Sequence, residues 1–326
     1  MAAIAALPRG RAVVPELTVG AVCLEVAAHT NLLDDLLGAG IKVPNSCRAG
    51  SCHSCLVRCI SGEPLDAQPQ ALSAAQRAQG WRLACQCQVV EDLSVQVFDP
   101  AADGIGASLI GCDWLSATVL RLRLLPERPL RYQAGQHLLL WTPSGIARPY
   151  SLASVPNLDE YLEFHLDCRQ AGAFSDAARS LQLGQSLRLG ELHGGALHYD
   201  PQWQTRPLWL LAAGTGLAPL WSVLREALRQ GHNGAIRLLH LAHDSSEHYL
   251  AQPLTALAAE HPNLQVQLVN TAELPAALAE LRLVSRQTMA LLCGSPASVE
   301  AFTRRLYLLG LPRNQMLADL FLPRAF

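Results

Sequence analysis

The chain has 326 residues, of which half are apolar and 16% are charged, and its 25 basic and 27 acidic side chains give a formal net charge of −2. This composition excludes a disordered chain, and the near-neutral charge argues against a nucleic-acid partner, since nucleic-acid binders usually carry a basic face. At roughly 100–200 residues per domain, the length predicts two or three domains.

The start of the chain predicts no signal peptide. Met1–Leu7 has no basic residue ahead of its short apolar run, and Arg9 and Arg11 come after it, which is the reverse of the order in a secretory leader. We therefore expect a cytoplasmic protein.

The first hundred residues indicate short strands and helices. In chain order, the pattern predicts a strand pair over Leu17–Val26 with a turn at Gly20, a helix over Leu32–Leu37 capped by Thr30 or Asn31, a second short helix over Ser73–Gly80, and a closing strand over Leu93–Phe98.

Cysteines are concentrated in this region. Seven of the ten lie between Cys23 and Cys87, and the others are Cys112, Cys168 and Cys293. Disulfides are not expected in a chain without an export signal, so the clustered thiols predict a metal site.

Four of these cysteines have the spacing of a plant-type [2Fe–2S] centre. Cys47, Cys52 and Cys55 form C-x4-C-x2-C, and Cys85 follows after 29 intervening residues. Four thiolates complete two tetrahedral irons, and the small residues around Gly50 let backbone N–H groups turn toward the sulfurs.

Two other interpretations compete with the cluster. A structural zinc site usually uses two short knuckles, but its second pair here would be Cys85 and Cys87, with only one residue between them. Random cysteine enrichment does not produce this spacing. Cys23, Cys59 and Cys87 are expected to be small buried hydrophobic residues or bystanders.

Residues 15–98 resemble plant-type ferredoxin domains. The stretch from Pro44 to Cys55 is similar to the cluster loop of that family, and the stretch from Leu83 to Gln86 is similar to its fourth-ligand segment. The resemblance implies a β-grasp domain that carries a [2Fe-2S] cluster.

A polar linker, Asp99–Gly106, precedes a region of short strands and frequent turns. Such a pattern predicts a small antiparallel β-barrel. The predicted strands are Thr118–Leu125, His137–Trp141, Tyr161–Leu166 and Ser186–Leu189.

Two short motifs in this region suit a flavin. In the run from Arg148 to Ser154, a guanidinium can bind phosphate, the Tyr150 ring can stack and the Ser151 hydroxyl can bond a flavin nitrogen. The turn Gly172–Ser175 precedes a helix predicted over Asp176–Leu181 and offers N–H groups to a pyrophosphate. Without the upstream motif, an ordinary serine-capped helix would explain the second feature.

Residues 207–326 alternate apolar strands with helices, which predicts an α/β domain with a parallel sheet. The strands are Leu208–Ala213, Ile236–Ala242, Leu264–Val269 and Met289–Cys293, and the helices are Leu220–Gln230 and Ala297–Leu309. The uncharged stretch Pro207–Leu224 is the best membrane candidate, but a strand, a glycine turn and a helix explain it better. We expect no membrane partner.

The first of these strands runs into Gly214-Thr215-Gly216, which lacks the third glycine of the usual dinucleotide fingerprint. Turn glycines between a strand and a helix let a pyrophosphate approach the backbone. Cys293 and Gly294 end a later strand and are expected at the same rim of the sheet, although a buried structural cysteine is the alternative.

These two regions resemble the ferredoxin–NADP reductase superfamily, which implies an FAD-binding domain over 105–203 and an NAD(P)H-binding domain over 207–326. The matching residues are Arg148, Tyr150, Ser151, Leu152, Gly172, Ala173, Phe174, Ser175, Gly214, Thr215, Gly216, Cys293, Gly294 and, near the C-terminus, Phe321.

The resemblance also implies roles for these residues. Arg148 would bind the flavin phosphate, Tyr150 would pack on the isoalloxazine, and Ser151 would face its N5. Cys293 would lie near the nicotinamide, so Ser151 and Cys293 are the candidate catalytic residues. Asp319 stands where many relatives carry glutamate, which puts a proton-transfer role there in doubt.

The coenzyme's 2′ position is expected after the second strand, near Asp244 and Glu247. An NADPH site usually needs Arg or Lys for the extra phosphate, and none occurs between Arg237 and Arg282. The sequence therefore favours NADH over NADPH, unless both acids are merely solvated surface.

The order of parts resembles the reductase components of bacterial multicomponent oxygenases of Rieske or di-iron type. It implies an oxidoreductase that passes electrons from NADH through FAD to the cluster and on to a protein acceptor, which would dock near Arg48 and His53. A reductase for sugar deoxygenation (CDP-6-deoxy-glucoseen reductase type) and a non-catalytic redox sensor are the alternatives, and FMN remains an alternative to FAD.

Overall fold

A computed structural model describes residues 14–194 and 196–322. The Met1–Leu7 segment, which predicts no signal peptide, lies outside the described residues. The described residues form two compact units that divide between Phe98 and Asp99. The predicted domain ranges 15–98, 105–203 and 207–326 stay predictions, since the last two both fall in the second unit.

The first unit has a mixed five-stranded sheet of order β2-β1-β8-β4-β6, in which only β1 and β8 run parallel, and a small sheet of order β3-β7-β5. Its strands are β1 (Glu16–Val19), β2 (Val22–Glu25), β3 (Thr30–Asn31), β4 (Leu56–Ser61), β5 (Leu65–Asp66), β6 (Trp81–Leu83), β7 (Cys87–Val89) and β8 (Leu93–Val97). Its helices are α1 (Leu32–Gly38) and α2 (Ala74–Ala78).

Local sequence signals explain these elements. Gly20 has φ +60°, which allows the tight turn between β1 and β2. The Asn31 side chain, and not that of Thr30, caps α1 by accepting from the N–H groups of Leu33 and Asp34. The predicted strand pair and both helices are confirmed.

The second unit begins with a six-stranded antiparallel half-barrel of order β12-β11-β14-β9-β10-β13. Its elements are β9 (Ile105–Trp114), β10 (Val119–Pro126), β11 (His137–Trp141), β12 (Ala147–Ser151), β13 (Leu162–Asp167), α3 (Ala173–Arg179) and β14 (Ser186–His193). The linker predicted over 99–106 is wrong at its end, because residues 105–106 already pair with β14.

A parallel sheet of order β17-β16-β15-β18-β19 completes the unit. Its elements are β15 (Leu208–Ala213), α4 (Leu217–Arg229), β16 (Ile236–Ala242), α5 (Ala251–Glu260), β17 (Leu264–Asn270), α6 (Leu274–Glu280), β18 (Met289–Gly294), α7 (Pro296–Leu308) and β19 (Met316–Leu320). This doubly wound order, with β15 buried along its whole length, agrees with the predicted α/β class.

The membrane candidate Pro207–Leu224 is the strand β15, a glycine turn and the first part of α4. Within 14–194 and 196–322, the helices are all too short or too polar to span a bilayer.

A buried ionic network lies in the half-barrel. Glu163 on β13 accepts from Arg123 Nε at 2.8 Å and contacts His165 Nε2 at 2.9 Å. Burial alone would raise the pKa of Glu163, but the bonds from His165 and Arg123 lower it to about 2. The carboxylate form is therefore favoured in the folded protein.

We expect Glu163→Gln to destabilise the protein by roughly 2 kcal/mol at pH 7, because two charge-assisted hydrogen bonds are weakened. Since the folded-state pKa of Glu163 lies below its ordinary value of 4.5, the wild type loses this contribution as the pH falls from about 4.5 to about 2. Denaturant unfolding followed by tryptophan fluorescence across this range should show the gap between the two proteins closing. Glu160→Gln, at an exposed position, is the matched control, and an equal gap at all pH values would contradict the account.

Candidate functional site

The loop between α1 and β4 winds around the cysteine thiols. Arg48, Gly50 and His53 all have positive φ, of 51°, 77° and 54°. These left-handed turns let the N–H groups of Ala49 and Cys52 point at Cys47 Sγ, at 3.3 and 3.4 Å. Backbone donors therefore face the sulfur, as the small residues of the loop predict.

The four predicted ligands form two pairs. Cys47 contacts Cys52, and its N–H lies 3.5 Å from Cys52 Sγ, while the N–H of Cys85 lies 3.5 Å from Cys55 Sγ. A hydrogen bond from Cys52 lowers the pKa of Cys47, and one from Cys55 lowers the pKa of Cys85. One thiol of each pair is thus poised to ionise.

This pairing suits a binuclear centre. A centre of two irons would take two thiolates at each iron, and Cys47 with Cys52 and Cys55 with Cys85 would supply them. In the part of the chain that the structure describes, no three His, Cys, Asp or Glu side chains form a group that could hold a single ion.

The structure distinguishes Cys85 from its neighbour Cys87. Cys85 lies in a 3-10 turn after β6, beside Cys55. Cys87 begins β7 and is fully buried, and this burial raises the pKa of its thiol. Cys87 therefore has the environment of a core residue, as predicted.

Side-chain donors to the sulfurs were missed by the sequence analysis. Ser54 Oγ donates to Cys52 Sγ at 3.1 Å, and Gln86 Nε2 donates to Cys85 Sγ at 3.3 Å. Each of these residues is next to a predicted ligand in the sequence, and this position could have identified them as donors. Gln86 also bonds the carbonyl oxygen of Arg48, so it ties the two ligand segments together.

The predicted flavin residues lie on β12 and α3. The rings of Tyr150 and Phe174 pack at 4.9 Å between centroids, and burial raises the pKa of Tyr150. Ser151 is buried at the end of β12 opposite His137, and Leu152, next along the chain, is fully buried. Arg148 lies on the same strand and donates to the carbonyl oxygen of Ala147.

The second flavin motif differs from its prediction. The helix begins at Ala173 and not at Asp176, so Ala173, Phe174 and Ser175 form its first turn and Gly172 is its cap. Ser175 Oγ donates to the Gly172 carbonyl oxygen at 3.0 Å. The N–H groups of this first turn, which lack intrahelical acceptors, remain the groups suited to a phosphate.

The dinucleotide turn is held by close backbone packing. Gly214 has φ +56°, and Thr215 and Gly216 lead directly into α4. A Cβ on Gly216 would lie 2.4 Å from the Cys293 carbonyl oxygen, and one on Gly294 would lie 2.7 Å from Ala213 Cβ. Two glycines on neighbouring strand ends therefore provide the close approach that the missing third glycine usually gives.

Cys293 and the C-terminal segment meet at this rim. Cys293 is fully buried and lies in register with Asp319 on β19, and burial together with that carboxylate raises the pKa of its thiol. Burial also raises the pKa of Asp319, and the charge of His137 acts in the opposite direction. The N–H of Phe321 donates to the Gly294 carbonyl oxygen at 2.8 Å.

His240 on β16 is a further residue that the sequence analysis missed. Its Nε2 donates to the Gly214 carbonyl oxygen at 3.1 Å, and its Nδ1 lies 3.2 Å from His248 Nδ1. Burial lowers the pKa of His240 to about 4. A neutral imidazole therefore supports the backbone of the glycine turn at physiological pH.

The loop after β16 contains the predicted coenzyme residues. Asp244 Oδ1 accepts from the N–H and hydroxyl of Ser246, and donation from Ser246 lowers the pKa of Asp244. Glu247 pairs with Arg169 at 2.7 Å. Arg169 lies 78 residues before Glu247 in the chain, so the residues around the acids give no sign of this cation.

Family models match three parts of the chain. A 2Fe-2S iron-sulfur cluster binding domain matches residues 18–90, an oxidoreductase FAD-binding domain matches residues 115–196, and an oxidoreductase NAD-binding domain matches residues 210–304.

Curated relatives match over nearly the whole chain. The ferredoxin–NAD(P)+ reductase component of the naphthalene 1,2-dioxygenase/salicylate 5-hydroxylase systems of Ralstonia sp is 31% identical over 94% of this chain and 99% of its own. The corresponding component of the naphthalene 1,2-dioxygenase system of Pseudomonas putida is 30% identical over 91% of this chain and 95% of its own.

Two solved structures have the same architecture as this chain. The crystal structure of the Amycolatopsis cytochrome P450 reductase matches with a TM-score of 0.65 and 26% identity, covering 95% of this chain and all of that chain. The ferredoxin reductase in carbazole 1,9a-dioxygenase matches with a TM-score of 0.63 over 94% of this chain and 98% of its own, and its 23% identity shows the fold alone.

We expect Gln86→Leu to lower the midpoint potential of the cluster by about 40 mV. Reduction adds negative charge near Cys85 Sγ, and a lost hydrogen bond of about 1 kcal/mol converts at 59 mV per tenfold change for one electron. A redox titration followed by EPR measures the shift. Gln88→Leu, on the exposed side of β7, should leave the potential unchanged. An unaltered potential in Gln86→Leu, with full iron content, would show that this donor does not tune the centre.

Proposed function

Because the chain belongs to the ferredoxin–NAD(P)+ reductase components of bacterial oxygenase systems, we propose that it takes electrons from NADH and delivers them, through FAD and a [2Fe-2S] cluster, to an oxygenase component of Rieske or di-iron type. The observation that carries this proposal is the pairing of four thiols in a chain that also has a flavin motif and a dinucleotide turn.

FAD accepts an electron pair as hydride and can release the electrons singly, while a [2Fe-2S] cluster carries one electron at a time. The proposed ligands of the cluster are Cys47, Cys52, Cys55 and Cys85. The N–H and side-chain donors around these sulfurs favour the thiolate form that metal binding requires.

The flavin and coenzyme roles are proposals that rest on placement. Tyr150 offers a buried ring held by Phe174, and Ser151 offers a hydroxyl at the end of β12. Arg148 supplies a guanidinium to a flavin phosphate. The turn Gly214–Gly216, at the carboxyl end of β15, offers backbone to the coenzyme pyrophosphate.

The sequence analysis gave Cys293 as a candidate catalytic residue, and here we propose a packing role for it. Because its side chain is fully buried and its pKa is raised, we propose that it packs beneath the nicotinamide site as a neutral thiol. Phe321, bonded through its N–H to Gly294, places an aromatic ring at the same rim.

The partner and coenzyme assignments complete the proposal. NADH is favoured by Asp244 and Glu247, and an acceptor protein would dock near Arg48 and His53 on the cluster loop. A cytoplasmic location suits the six cysteines that are not proposed ligands and that are free thiols. The oxygenase systems named for the relatives do not favour the sugar-deoxygenation alternative or a sensor without turnover.

Anaerobic addition of NADH to the reconstituted protein tests the function. We expect bleaching of the flavin absorbance followed by an EPR signal of the reduced cluster, because electrons pass between the two centres. If the flavin bleaches and the cluster stays oxidised, the proposed relay is wrong.

We expect Cys85→Ser to lose cluster iron while keeping NADH-driven dye reduction at the flavin, because one iron loses a thiolate. Iron content, visible absorbance and reduction of a flavin-specific dye measure this. Cys87→Ala should keep both iron and dye reduction, since Cys87 is a core residue. Loss of the cluster in Cys87→Ala with retention in Cys85→Ser would reverse the ligand assignment.

A further inference from the structure

An ion pair joins the half-barrel to the loop that follows β16. Arg169, two residues after β13, extends its guanidinium to Glu247 Oε2 at 2.7 Å. The backbone of Arg169 is fixed because its N–H donates to Asp167 Oδ1 at 2.9 Å. The Glu247 side chain is only 13% exposed, whereas that of Arg169 is 44% exposed. The carboxylate is thus partly enclosed and the cation is open on its other side.

This pair lies where the adenosine end of a dinucleotide is expected. In a doubly wound sheet, the ribose contacts come from the end of the strand next to the glycine turn. That strand is β16, which pairs in parallel with β15, and Asp244 and Glu247 follow it directly. Arg169 contributes to lowering the pKa of Asp244, after the larger effect of Ser246, so its charge reaches both acids.

We propose that Glu247 sets coenzyme specificity by occupying Arg169. NADPH differs from NADH by a 2′-phosphate, which an arginine ordinarily binds through two parallel hydrogen bonds. Here the guanidinium that could meet this phosphate is already paired with a carboxylate. An incoming phosphate must share Arg169 with the Glu247 carboxylate or displace it, and in both cases it meets the negative charges of Glu247 and of the neighbouring Asp244.

This inference rests on the proposed function and differs from simple repulsion by two acids. If repulsion alone acted, removing the charge of Glu247 would raise the catalytic efficiency with NADPH by the same factor whether or not Arg169 were present. If Glu247 acts by occupying the guanidinium, the gain depends on Arg169. The two mechanisms therefore differ in the coupling between the two positions.

The test is a double-mutant cycle on the flavin-loaded protein with Glu247→Gln, Arg169→Gln and the double variant. Catalytic efficiency is measured with NADPH and with NADH, and the Kd is measured for 2′,5′-ADP and for 5′-ADP, which lack the nicotinamide. We expect Glu247→Gln to raise the efficiency with NADPH and the affinity for 2′,5′-ADP about tenfold or more. The readout is the ratio of the NADPH value to the NADH value, and of the 2′,5′-ADP affinity to the 5′-ADP affinity, so that any general change in coenzyme binding cancels.

The double variant should return both NADPH efficiency and 2′,5′-ADP affinity close to the wild-type values. Glu260→Gln, at the exposed end of α5, removes the same charge elsewhere in this half of the unit and should change neither. No gain in Glu247→Gln, or an equal gain in the double variant, would overturn the proposal. Glu247→Ala provides a second variant, which should also raise the efficiency with NADPH and the affinity for 2′,5′-ADP.

These outcomes are separable from a failure of the proposed function. The affinities for 2′,5′-ADP and 5′-ADP report on the ion pair without any electron transfer. If NADH fails to reduce the flavin in the wild type, the proposed function fails, while the dependence of 2′,5′-ADP binding on Arg169 still decides the role of Glu247.

Discussion

The loop before β4 and the turn after β6 together hold four sulfur atoms close to one another, and ionised sulfurs repel one another. The two segments oppose this repulsion with donors from several sources: the N–H groups of Ala49, Cys52 and Cys85 and the side chains of Ser54 and Gln86. Three left-handed residues in six positions make this arrangement sterically possible. The first unit therefore places left-handed backbone at the sulfurs, and the strands on either side of the loop hold it there.

In the second unit, polar side chains connect the half-barrel to the parallel sheet. Arg225 on α4 pairs with both carboxylate oxygens of Asp159, at 2.8 and 2.9 Å. Deeper inside, Tyr249 Oη contacts His165 Nδ1, and the Tyr249 ring packs against His240, which supports the glycine turn. Because these groups are buried, each must keep its partner. The junction thus fixes the flavin half and the coenzyme half in one unit.

Much of this architecture could be predicted from local patterns. The predicted bounds of β11, β15 and β16 agree with the structure, because each strand is a mainly apolar run that ends at clear turn residues. The helix predicted over Leu220–Gln230 begins three residues too late, because α4 starts at Leu217 and proline is tolerated in the first turn of a helix. The contacts of Arg169 with Glu247 and of His240 with Gly214 could not be predicted, since tertiary folding alone brings these residues together.

The paired glycines at the ends of β15 and β18 leave no space for even one methyl group. Because of this close packing, substitutions at the glycine turn are sterically restricted, whereas substitutions in the loop after β16 are less so. The turn is locked by backbone against backbone, whereas residues 243–246 of the loop after β16 are exposed to solvent. Divergence among descendants of such a protein should accordingly accumulate in that loop, and adaptation to a new cellular reductant could proceed there without rebuilding the scaffold.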